Sequence, residues 1–370
     1  MKKIWEFKRV YLLLLFPLSF VLIYVAKLNS DFAEHVFALR IYKWLSQIIS
    51  MVTGIFPFSL AEILIILLPI TFLFLFLRFI VKLIREKENR ATRLWKGILN
   101  VLCILSVTLF LFVILGGINY YRYPFRHYSN LKVRDSSIHE LYDLTLSLAM
   151  EANQLREMTN GVDENGAFRL TLSVNELAEH AADAMAKLSE EYPVLGGNYG
   201  APKPVLSSSL MSYTEITGIF IPFTMEANVN VDIPDYSIPS TMLHELAHLR
   251  GFMREDEANF ISYLAGMKSE HPEIRYSSTM LALIISGNAL YKEDTDLYFE
   301  IRDQYSEKVL IDIRENSRYW QQYEDTVIST VSNKINDTYL KANAQSDGVK
   351  SYGRMVDLLL AKYRKDNQLD

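Results

Sequence analysis

Cysteine is almost missing: Cys103 is the single thiol in 370 residues, and it lies inside an apolar run. One thiol closes no intrachain disulfide and builds no thiolate metal cluster. Glycine and proline are scarce as well, 15 and 11 residues, which excludes collagenous and low-complexity architectures. Basic charge has no surplus: 38 Lys and Arg face 43 Asp and Glu, for a net charge of −5. With a pI near 5.9 and no basic stripe, a nucleic-acid partner is not expected. Half the residues are hydrophobic and 12% aromatic, so intrinsic disorder is excluded too. The mean hydropathy of +0.08 averages over a divided chain. Apolar runs crowd into the first third, and most acidic residues follow it.

A helix needs about 20 mostly apolar residues to cross a bilayer core. Three runs qualify, at about 10–26, 61–81 and 97–118, and predict a membrane anchor over residues 1–121. A cleaved signal peptide also has a basic start and an apolar centre. No small-x-small cleavage site follows the first run, so a retained anchor is expected. Lys2, Lys3, Lys8 and Arg9 precede the first span. Lys82, Arg85, Lys87, Arg90, Arg93 and Lys96 lie between the second and third. Positive charge near span ends favours the cytoplasm. The N-terminus is therefore expected inside, and residues 122–370 outside the plasma membrane of a bacterial cell. Between the first two spans, about residues 32–48, Phe32, Val36, Phe37, Ile41, Trp44 and Ile48 recur at near-helical spacing. They predict an amphipathic helix lying in the interface or against the outer domain.

The outer region reads as α+β, mostly helical with a small sheet. Helical periodicity runs over 136–158. Ser173 with Glu176 three residues on forms a capping box that opens a second helix towards Tyr192. Residues 193–204 are Gly/Pro-rich and irregular. β-Branched and aromatic residues over 216–233 predict one or two strands, and Pro222 bars a central position for part of that stretch. Helical patterns then run from Ser240, over 276–290, about 307–342 and 353–363.

The chemistry concentrates in Thr241-Met-Leu-His-Glu-Leu-Ala-His248. Histidines four apart share a helix face one turn apart, so His244 and His248 can reach one metal ion, with Glu245 beside the first. Ordinary helix histidines are the bland alternative. A catalytic zinc takes three protein ligands and keeps a fourth position open. Gly251 follows in metzincin-like spacing, but Arg254 stands where those enzymes place a third histidine, and a guanidinium cannot ligate a cation. Beyond it, Glu255 and Asn259 share one face of a second helix in Glu255-Asp-Glu-Ala-Asn259. Glu255 is then the expected third ligand, with the Asn259 amide accepting a hydrogen bond from a ligand histidine and Gly251 supplying the turn between the helices. Glu257, about 200° further round, is the second choice. A solvated, acidic helix start is the competing reading of this cluster.

The helix pair resembles that of the gluzincins, the thermolysin-like clan, whose second helix carries Glu-x-x-Ser/Ala-Asp/Asn. The whole layout resembles a bacterial family of three-span membrane proteins with a gluzincin-like zinc metallopeptidase domain. The resembling stretches are Pro57–Glu62, Pro222–Asn230, His244–His248, Glu255–Phe260 and Ser346–Gly353. The resemblance implies a zincin-like outer domain, one Zn2+ ion, a lipid bilayer partner and a peptide or protein substrate. It supplies no substrate identity.

In that reading Glu245 is the catalytic base. It takes a proton from the attacking water and passes it to the leaving amine. Asn228 and Asn230 alternate to one face of a strand just before the motif helix and are candidates for fixing a substrate backbone by strand addition. They read equally well as polar residues of a half-exposed strand. Oxyanion donors are sought among Tyr339, Tyr352 and Arg354, each of which has a packing or surface alternative. Two rivals to the peptidase stay open: a catalytically idle zinc-binding sensor or assembly factor of the envelope, and an amidase acting on a non-protein envelope amide.

Overall fold

A computed structural model describes residues 8–85, 88, 90–343, 345 and 354–369. Three of its helices are long and apolar enough to cross a membrane: Lys8–Leu28, Leu60–Arg85 and Arg90–Leu115. This is a membrane protein built mostly of helices, with one small sheet. Much of the charged stretch expected to be a loop between the second and third spans is helix. Arg90 donates to the carbonyls of Leu83 and Ile84 at 2.9 and 3.0 Å, and Arg93 to that of Lys82 at 3.0 Å. Cations therefore serve the last carbonyls of the second helix, which lets it run on. The third helix stops at Leu115, short of 118. Gly116 and Gly117 follow, and a 3₁₀ turn spans Gly117–Tyr121.

The amphipathic segment after the first span is longer than its sequence pattern suggests. It is π-helical over Phe32–Tyr42 and continues as an α-helix over Lys43–Gly54. It docks against the C-terminal region: Phe37 and Tyr42 join the same buried cluster as that region's helices. The Tyr42 hydroxyl reaches the carbonyls of His248 and Leu249 at 3.3 and 3.2 Å. Glu34, wholly buried, accepts from Arg122 at 2.7 and 3.0 Å.

Three strands form the sheet: β1 (Lys203–Pro204), β2 (Gly218–Ile221) and β3 (Glu226–Val229), in the order β1-β3-β2. β3 is buried along its length, parallel to β1 and antiparallel to β2, with Gly218 opposite Val229 and Ile221 opposite Glu226. Pro222 falls in the turn beyond the edge strand β2, where its missing N–H breaks no ladder. β1 is two residues long and carries no strand pattern, so nothing in the sequence marks it.

β3 also holds the second span. The Glu226 carboxylate accepts from the backbone N–H groups of Leu60 and Ala61 at 3.0 and 2.8 Å, and buried Lys203 pairs with it at 2.5 Å. The Ser59 hydroxyl donates to Asn228 Oδ1 at 2.6 Å. In return Glu62, in the first turn of that span, accepts from the N–H groups of Leu206 and Ser207 at 2.9 and 2.8 Å. Carboxylates at both places satisfy N–H groups that would otherwise lack partners, Glu226 at a helix start. The stretches Pro57–Glu62 and Pro222–Asn230 are thus one contact.

The helices that follow the third span carry their own start signals. Ser137 with Glu140 and Ser173 with Glu176 form complete capping boxes on Ile138–Glu157 and Val174–Glu191. The long helix Pro272–Glu293 packs along Ile138–Glu157, while Val174–Glu191 lies against Ile238–Leu249 and Glu255–Met267. The pattern expected to run unbroken over 307–342 is two helices, Glu307–Gln321 and Val327–Ala342. Asp325 takes a left-handed conformation, φ 56°, and Thr326 caps the second helix through the Ser329 N–H at 3.0 Å.

Candidate metal centre

The motif helix, Ile238–Leu249, has Pro239 in its first turn, where a missing N–H costs nothing. Met242, Leu243, Leu246, Ala247 and Leu249 are buried in the core. His244 and His248 are left one turn apart on the face that borders a cleft of about 690 Å³. A sharp turn follows. Gly251 has φ +86°, and a Cβ there would lie 2.9 Å from Asn119 Nδ2 and 3.0 Å from the Tyr42 ring. Both the backbone conformation and the space require glycine. The glutamate helix, Glu255–Met267, then runs back beside the motif helix, and the Ser262 hydroxyl donates to the Ser240 carbonyl at 2.6 Å.

This crossing brings Glu255 to the histidines. Its Oε2 lies 3.1 Å from His244 Nε2 and 3.6 Å from His248 Nε2. The ligand atoms of the three residues all fall within 4.8 Å of one another, a group that could hold a metal ion. The far side of each ring is fixed. His248 Nδ1 faces the Phe252 carbonyl at 2.8 Å, and His244 Nδ1 faces Asn259 Oδ1 at 2.7 Å. A carbonyl oxygen only accepts, so Nδ1 carries the proton and a neutral ring keeps its lone pair on Nε2, towards the shared point.

The three side chains polarise one another. Burial pushes the His248 imidazolium down, but the Glu255 carboxylate outweighs it and holds the ring up at about 9. Burial pushes Glu255 up, and the two histidines more than offset this, leaving its carboxyl well below the usual range. Glu245 sits beside them, 4% exposed. Burial raises its carboxyl above the ordinary value, and the charges of His244 and His248, with the Phe220 N–H, partly oppose the shift. Its Oε2 has no hydrogen-bond partner among the described residues. β2 presses close to it: a Cβ on Gly218 would stand 2.5 Å from Glu245 Oε1 and 2.7 Å from Thr241 Cγ2.

Glu257 is not part of this group. It points to the other side of its helix, accepts from the Phe125 N–H at 3.0 Å, and is pushed up to about 7, chiefly by burial. Asn228 and Asn230 are not brought to the cleft. Asn228 is spent on Ser59 and the carbonyls of Ile219 and Glu226, and Asn230 on Ser212 and the carbonyl of Ile216. They belong to the central strand and just beyond it, so their faces are covered. The edge strand along the cleft is β2. Of the three oxyanion candidates, Tyr339 lines the cleft, its hydroxyl 3.1 Å from that of Tyr120. Arg354 lies 3.8 Å from Asp256 and does not line the cleft. Tyr352 lies outside the described residues.

Sequence reasoning missed the Phe252 carbonyl, which no side-chain pattern can reveal, and Gly218. An isolated glycine in a β-patterned run does signal close approach of another group. His180 and His271 also come together, rings 3.8 Å apart, but among the described residues the one group of three suited to a metal is His244, His248 and Glu255. A protein-family model described as "Protein of unknown function (DUF3810)" matches residues 37–360. No curated protein and no solved structure matches the chain.

Proposed function

On the premise that this chain belongs to the DUF3810 family, whose description names no activity, we propose that it is a membrane-anchored zinc metallopeptidase. The observation that carries the proposal is the convergence of His244, His248 and Glu255 beside the unpartnered Oε2 of Glu245. Two imidazole nitrogens and one carboxylate oxygen are a donor set typical of catalytic zinc. One Zn2+ ion held there would supply Lewis acidity and lower the pKa of a bound water to about 7. The gluzincin-like assignment of the outer domain belongs to the same proposal.

The chain's own residues then have distinct tasks. Asn259 and the Phe252 carbonyl hold the two rings in the tautomer that offers Nε2. Glu245 takes a proton from the attacking water and delivers it to the leaving amine, and its burial makes the carboxylate a stronger base. β2 offers an extended peptide a sheet edge along the cleft. The Tyr339 hydroxyl, in the cleft wall, is the candidate donor to the developing oxyanion. The Lys and Arg distribution supports a cytoplasmic N-terminus and an outer domain beyond the plasma membrane of a bacterium.

The test is Glu245→Gln in the purified full chain. It should retain one zinc per chain and lose hydrolysis of a peptide library. A variant as active as the wild type removes Glu245 as base. A metal-bound wild type that cuts no peptide leaves the idle sensor, or an amidase if envelope amides are cleaved instead.

A further inference from the structure

Helix Val327–Ala342 forms part of the cleft wall through Ser332, Ile335, Asn336 and Tyr339, and its remaining surface is unusual for a helix facing water. Val327, Ile328 and Val331, which do not line the cleft, lie at steps of three and four and form a short apolar stripe. All are exposed, Val327 at 81% and Val331 at 51%. Ser329 and Leu340 face inward and are buried, while Thr330, Lys334, Asp337 and Lys341 occupy a third, polar arc. An apolar stripe, a packed side and a charged polar arc are the layout of a helix lying in a membrane interface.

The contacts of this helix fix its level. Tyr339 stacks edge-on against Phe112, close to the end of the third span, with ring centroids 6.2 Å apart. Near its middle, Ser332 donates to the Thr214 carbonyl at 2.8 Å and Asn333 to Glu215 at 2.7 Å. Those residues follow a short helix, Ser208–Tyr213, whose leading Leu206 and Ser207 are bound to Glu62 at the start of the second span. Leu206 and Leu210 there are exposed as well. The helix is therefore linked at Tyr339 to the end of the third span, and through Ser332 and Asn333 to the segment bound at the start of the second.

We infer that Val327–Ala342 lies in the outer leaflet of the bilayer its spans cross, so that the cleft between it and the third span opens at membrane level and takes polypeptides cut close to the point where they leave that bilayer. The substrate half of this inference rests on the peptidase reading; the placement of the helix does not. In that placement Lys334 is on the side of lipid phosphates, Lys341 being paired with Asp337 at 2.6 Å, while the stripe meets acyl chains.

The test uses the full chain in phosphatidylethanolamine–phosphatidylglycerol vesicles with Cys103→Ser and one new cysteine, Ile328→Cys, Val331→Cys or Lys334→Cys, carrying an environment-sensitive dye. Dyes at 328 and 331 should be quenched by nitroxides on acyl chains and shielded from iodide, and the dye at 334 should not. Iodide quenching at 328 and 331 equal to that of free dye overturns the inference. So does shielding that persists in detergent together with cross-linking of two chains through position 331, since a second copy would then cover the stripe. For the substrate, one cleavable sequence is placed directly after a single transmembrane segment or beyond about 40 Gly/Ser residues. The near site should be cut at least about tenfold faster, because both substrates are equally tethered. Equal rates overturn the substrate half and leave the peptidase intact. No cutting of either removes the peptidase reading and the substrate half with it, and quenching still decides the helix.

Discussion

Gly218→Ala tests the catalytic reading without touching a ligand. The added Cβ would lie 2.5 Å from Glu245 Oε1, 2.7 Å from Thr241 Cγ2 and 2.9 Å from Glu245 Cγ, where ordinary contact begins at 3.4 Å. Thr241 is on the motif helix and cannot yield far, so the relief must come from the Glu245 side chain or from a retreat of β2. Either moves the base against the substrate edge by about 1 Å, a displacement that costs on the order of 100-fold in rate. That is about 2.7 kcal/mol of transition-state stabilisation. His244 and His248, the proposed ligands, are held by Asn259 and the Phe252 carbonyl rather than by β2, so metal content should stay at one ion per chain. The assay is paired: metal analysis of the purified full chain, and turnover of a cleavable peptide by wild type and variant. A fall in kcat with metal retained is expected. Activity within twofold of wild type would refute the placement of Glu245 in the reaction, and loss of metal would refute the independence of base and ligands.

Two further outcomes follow from the packing. Asn259→Ala leaves His244 without its partner at 2.7 Å and should weaken zinc binding by roughly 10–100-fold, whereas Glu255→Ala should abolish it and Glu257→Ala should leave it intact; titration with a competing chelator orders the three. Glu34 provides the pH test: burial pushes its carboxyl up, but Arg122, Tyr128 and the Tyr123 N–H outweigh this and hold it below 4.5. A carboxyl depressed in the folded state contributes stability that is present above pH 4.5 and lost as pH falls through the folded value. Glu34→Gln strands a buried guanidinium and should cost about 3 kcal/mol at neutral pH, with the gap to wild type narrowing below pH 4.5 in thermal unfolding of the detergent-solubilised chain.

The difference between what a pattern can and cannot carry is visible at single residues. Three apolar runs read as spans because crossing a bilayer is a local requirement on consecutive residues, and the structure has helices there. The capping box at Ser173 and the shared face of His244 and His248 are equally local, fixed by spacing along one helix. Glu255 and Glu257 could not be separated with the same security. Their choice depends on how the second helix crosses the first, and that is set by Gly251 fitting among Tyr42, Asn119 and Arg122, residues more than 100 positions away. The surroundings of Asn228 and Asn230 are hidden from the sequence for a related reason. Strand periodicity gives the faces of β3, but whether a face meets solvent, substrate or protein depends on neighbours that only the assembled sheet supplies.

By itself, then, the sequence determined the three apolar helices, the mostly helical region after them and the two histidines with their adjacent glutamate. Each of these is written in short-range periodicity, because a helix places residues three and four apart on one side whatever surrounds it. Only the tertiary structure decided which acid completes the group, which strand borders the cleft, and that Glu226 binds the start of the second span. Those outcomes depend on contacts between distant segments, where close packing admits one arrangement and leaves no trace in local spacing.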